Sequence, residues 1–141
     1  MKHFFVPLVV AIACTAAPVL AQVGPGGVGP GAGTQLGIQQ LGQSGQVGFV
    51  TLFNAGAATR VVTAINGAPA GRVQTVAIQR GKSCDSFEPQ IVARSADLAH
   101  GISHGSVPIA EDALLSGNYD VVVYSNNGPG ARPVACGHLH R

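Results

Sequence analysis

The sequence predicts an all-β domain, a sandwich or Greek-key barrel. Three observations carry this. From Val47 onward, short runs rich in Val, Thr, Ile and Phe alternate with Gly, Asn and Pro. Asn66-Gly67 and Asn127-Gly128 are turn signals between such runs. The helical competitor, residues 109–115 (IAEDALL), is confined to a turn or two by Pro108 and Gly117.

The elements follow in chain order. Residues 1–21, MKHFFVPLVVAIACTAAPVLA, read as a secretory signal. Lys2 supplies a positive start, Phe4 to Ala13 is apolar, and Val19-Leu20-Ala21 suits a signal peptidase, with cleavage after Ala21. The apolar run falls short of the roughly 20 residues a membrane span needs, so no stable insertion is expected after cleavage. A retained anchor is one alternative. Another is a lipoprotein signal ending at Cys14, although Ala11 stands where such signals favour Leu. Residues 22–46 are rich in Gly, Pro and Gln and hold no charge or aromatic ring, the composition of a flexible spacer. Residues 47–141 form the domain. Its strand candidates are 47–53, 59–65, 73–80, 91–95, 105–108, 119–125 and 134–139. Within TVAIQR (75–80) the alternation places Val76 and Ile78 toward the core and Ala77 and Gln79 outward. Residues 105–108 and 47–53 are candidates for an unpaired edge open to another chain.

Removing the leader leaves Cys84 and Cys136, an even count in an exported chain, which pairs them as a disulfide. Two free buried thiols are the alternative. Tyr119, entering a strand just after LLSGN, fits a tyrosine corner or an ordinary half-buried strand tyrosine.

GKSCDS, GSVPI, LLSGNYDVVVY and RPVACGHL together resemble the copper/zinc superoxide dismutase-like sandwiches and the chordin-type (CHRD) domains. The similarity spans residues 44–139. It implies an immunoglobulin-like Greek-key fold of about seven to eight strands, with the loop at Cys84 tied to the last strand at Cys136. It also implies where copper ligands would stand. The family's His-x-His aligns with Ala77, Ile78 and Gln79, and its late histidine aligns with Tyr124. The long zinc-binding loop is missing, and Arg132 lies four residues before Cys136, where the family places its arginine three before. Ala, Gln and Tyr do not replace imidazoles in a copper site, so the implied ligand set is dismantled and no dismutase activity is expected.

The remaining histidines form two groups: His100 and His104 in AHGISHG, and His138 and His140 in GHLHR. On a strand, His138 and His140 share a face and are spaced to chelate one copper or zinc ion, with His100 and His104 as further ligands. The competing reading is solvated histidines on loops and a fraying terminus, with no cofactor. A histidine metal site calls for carboxylates that orient the rings, and Asp97, Glu111 and Asp112 are the candidates.

Other chemistries have less support. Asp85 and Glu88 sit in a polar loop, and Ser83 and Ser86 have no evident base. There is no phosphate-binding glycine loop ahead of a helix. The net charge is +2 with basic residues scattered singly, without the stripe of a nucleic-acid binder. The resulting expectation is a secreted or periplasmic, non-enzymatic binding or structural module, with a protein or surface partner. The alternatives are a histidine-based metal-binding protein and a degenerate dismutase.

Overall fold

The computed structural model describes residues 31–141. The leader, Cys14 and the first part of the spacer lie outside the described residues. Eight strands and one short helix follow in order: β1 Thr34–Gln40, β2 Val47–Ala55, β3 Ala58–Asn66, β4 Val76–Gly81, β5 Phe87–Arg94, β6 Ile102–Val107, α1 Glu111–Ser116, β7 Tyr119–Tyr124 and β8 Pro133–Leu139. They form one antiparallel sheet in the order β5-β4-β7-β8-β1-β2-β3-β6. The chain leaves β3 for β4 at the far side, returns to β3 with β6, then crosses again to set β7 beside β4. These crossovers make the Greek key. The fold class read from the sequence is the one observed.

The sheet curls so that its two halves share one core. Val50, Leu52, Val61 and Ile65 from β2 and β3 meet Val76, Ile78, Val121, Val123 and Leu139 from β4, β7 and β8. β3 shows the period-two rule plainly: Thr59, Val61, Thr63 and Ile65 point in, and the residues between them are more exposed. Thr59 is tolerated inside because its hydroxyl donates to the Ile109 carbonyl at 2.7 Å.

The spacer expectation changes from Thr34 onward. Residues 34–40 are β1, and this strand joins the two halves. Thr34 to Ile38 pair with β2, and Gln39 and Gln40 pair with β8. The strand needs few apolar residues because backbone pairing holds it, to β2 over its first five residues and to β8 over its last two. Only Ile38 is fully buried in the core, with Leu36 packed against it. Glu111 of α1 accepts a hydrogen bond from the Thr34 hydroxyl at 2.7 Å, which fixes the start of β1.

Three strand boundaries also shift. β5 begins at Phe87 rather than Ile91, with register shifts opposite Ile78, Gln79 and Gly81. It is mostly exposed, and it tolerates Pro89 because it lies at one end of the sheet. β6 starts at Ile102, earlier than the expected 105, directly after a tight turn. β4 starts at Val76 rather than 73.

Burial on β4 departs most from the alternation. Val76, Ala77, Ile78 and Gln79 are all buried, so the outward positions are covered as well. β7 and β8 behave alike. Their outer face carries a second apolar cluster of Cys84, Val122 and Cys136, flanked by Leu41, Phe87 and Tyr124. Cys84 and Cys136 form a disulfide with Cα atoms 5.6 Å apart. That bond holds the β4–β5 loop down over β7 and β8. A bridge spanning 52 residues contributes about 4 kcal/mol by loop entropy. Chemical denaturation of the Cys84→Ser, Cys136→Ser double variant is therefore expected to show a stability loss of that order.

Candidate functional site

The covered outer face of β4, β7 and β8 holds the polar groups that invite a functional reading. Strand register sets them in rows. Gln79, Asp120 and His138 lie side by side on β4, β7 and β8, and Ala77, Val122 and Cys136 make the next row.

Gln79 and Tyr124 are joined. The Tyr124 hydroxyl donates to Gln79 Oε1 at 2.8 Å, and Gln79 Nε2 donates to the Glu88 carbonyl at 2.7 Å. The Tyr124 amide pairs with Thr75, so its ring must run along the face past Ala77, where a methyl group leaves room. These are the three positions at which the resemblance places copper ligands. Their donors do not fit that ion: one is a methyl, and the other two are neutral groups spent on each other. The expectation that Gln79 faces outward as ordinary surface is corrected, because its side chain is fully buried beneath β5 and the disulfide loop.

Asp120 is the group that sequence reasoning missed. It is fully buried, and its Oδ1 accepts a hydrogen bond from His138 Nδ1 at 2.7 Å. Its Oδ2 has no partner among the described residues. A carboxylate oxygen left alone in a buried site is costly. Gly81 makes room for it, since a Cβ there would collide with Oδ2 and approach Phe87 Cα to 2.9 Å. The available signal was a lone carboxylate inside the apolar run YDVVVY, in a strand that pairs with GHL.

His138 is 31% exposed at its side chain and lines a groove of about 440 Å³ with Gly37, Gln39, Ser83 and Asp85. His140, just beyond β8, is exposed. The two rings lie 5.8 Å apart, centroid to centroid, inclined by 29°. The other histidines are placed elsewhere. His100 (φ 52°) and Gly101 (φ 78°) are the central residues of the two-residue turn into β6, where both φ values are positive. His104 is an exposed residue of β6, at the opposite end of the sheet from β5 and four places from β8.

The carboxylates expected near the histidines are engaged elsewhere or exposed. Asp97 accepts from Asn127 Nδ2 at 3.3 Å and Glu111 serves β1, whereas Asp112, exposed on α1, lines a surface pocket together with His140 and Arg141. Among the described residues, one group of three or more His, Cys, Asp or Glu brings its donor atoms within 4.8 Å of one another: Cys84, Asp120 and Cys136. Its sulfurs are committed to the disulfide. Tyr119 makes its contacts through its ring, which lies against Gly117 with Arg80 stacked 5.2 Å from the ring centroid.

Fold and site together define a disulfide-tied Greek-key β domain with a buried Gln–Tyr pair and a buried carboxylate behind a half-exposed histidine. No family model, curated protein or solved structure matches the chain.

Two substitutions test these contacts. Tyr124→Phe leaves Gln79 Oε1 buried without its donor and is expected to cost about 1–3 kcal/mol in denaturant unfolding. Gly81→Ala is expected to destabilise by roughly 1–3 kcal/mol through the clash with Asp120 and Phe87, read from the same unfolding curves.

Proposed function

We propose that the chain is an exported, non-enzymatic β-sandwich module of superoxide dismutase-like or chordin-type descent, serving binding or scaffolding rather than redox chemistry. The observation that carries this reading is the hydrogen bond between Tyr124 and Gln79. A dismutase cycles electrons through a metal held by imidazoles. Here the positions the resemblance assigns to them are filled by a neutral, internally satisfied pair and a methyl group.

Export is supported by the leader-like residues 1–21 and by the disulfide, a bond that persists in oxidising compartments. Among the described residues no helix is long and apolar enough to cross a membrane. A binding role is supported by the outer face of β2, β3 and β6. Phe49, Ala64 and Ile102 stand there in one row across the strands, with Phe49 and Ile102 each 52% exposed. A second reading, with a metal ion as the ligand, is favoured by the contact between Asp120 and His138.

Protein expressed with its leader and recovered from the periplasm tests the proposal. Its N-terminus is expected at Gln22, and after copper and zinc loading and dialysis it is expected to dismutate superoxide no faster than buffer. Activity proportional to protein concentration would contradict the reading.

A further inference from the structure

We infer that His138 and His140 form a binding site for a divalent transition cation, copper(II) before zinc(II), with Asp120 as the positioning residue behind His138. The inference deepens the reading of an exported binding module by naming a ligand.

The first argument is the tautomer. Asp120 Oδ1 accepts from His138 Nδ1 at 2.7 Å, so in the neutral ring the lone pair sits on Nε2, away from the carboxylate. A carboxylate on the far nitrogen is the usual partner of a metal-bound histidine, because it fixes the ring and raises its basicity.

The second argument is spacing. A metal about 2.0–2.1 Å from an imidazole nitrogen lies roughly 3.2 Å from that ring's centre. Two rings sharing an ion can therefore stand up to about 6.4 Å apart; the centroids of His138 and His140 are separated by 5.8 Å with the rings stacked, so one ring must turn to bring a nitrogen into line with an ion between them. His140 is exposed and free to turn a nitrogen toward the ion. Asp85 lines the same groove as His138.

The third argument is cost. A half-exposed histidine on a protein surface does not need a buried acid. This fold nevertheless keeps Asp120 at 0% exposure with Oδ2 unpartnered. A cation on the far side of the ring would strengthen the Nδ1–H donor that Asp120 Oδ1 accepts. The neighbouring cation, Arg141, is turned away from this position: its guanidinium donates to the Thr34 hydroxyl at 2.9 Å and lies 3.9 Å from Glu111. Copper(II) is favoured because imidazole suits both ions and copper binds more tightly at a given nitrogen site.

The test is calorimetric titration of the disulfide-bonded, leader-free protein with copper(II), paired with electron paramagnetic resonance of the loaded sample. The expected result is one copper per chain with hyperfine splitting from two nitrogens. His140→Ala, which removes an exposed side chain, is expected to weaken binding at least ten-fold. Asp120→Asn is expected to weaken it about 10–100-fold, with folding checked by circular dichroism. His104→Ala is expected to bind as the parent does. Absence of saturable binding, or equal binding by the parent and the His138→Ala, His140→Ala double variant, would overturn the inference. Either result leaves the non-enzymatic module intact, whereas dismutase activity would overturn that module whatever the titration showed.

Discussion

The disulfide between Cys84 and Cys136 decides what the outer face of β4, β7 and β8 can be. Without a cover, that face would meet water, and Ala77, Gln79, Asp120 and Val122 would be surface residues. Pinning the β4–β5 loop to β8 buries them around a second apolar cluster. Burial then sets the chemistry. Gln79 must satisfy both ends of its amide, which Tyr124 and the Glu88 carbonyl do. Asp120 must find a donor, and His138 is the one in register. One covalent constraint thus gives the face two distinct polar pairs, one closed on itself and one with a ring reaching solvent.

Much of the fold was legible because β2, β3 and β7 carry strong apolar runs and the turns between strands carry Asn and Gly. β1 was not, because strand signals measure side-chain burial and β1 is held largely by its backbone. Its TQLGIQQ reads as spacer until β2 and β8 are placed on either side of it. The start of β5 was lost for a related reason: FEPQ is exposed and polar at the end of the sheet. The alternation in β4 was correct about which residues share a face. It was wrong about solvent, since period two reports direction and not what lies beyond.

The site was legible in part. Counting cysteines identified the bridge, and strand spacing placed His138 and His140 together. Asp120 escaped because its partner lies on the neighbouring strand, and no local pattern encodes that register. Of the carboxylates the sequence suggested, Asp97 and Glu111 are engaged elsewhere, and Asp112 shares a surface pocket with His140.

The central claim is that the positions at which the resemblance would place copper are closed by a neutral hydrogen-bonded pair, and that the proposed ligand capacity lies at the rim. Anomalous diffraction from crystals soaked in copper(II) tests it most directly. The account predicts a peak between the rings of His138 and His140 and none near Gln79 and Tyr124. A peak beside Tyr124, with the amide and the phenol parted around it, would contradict it.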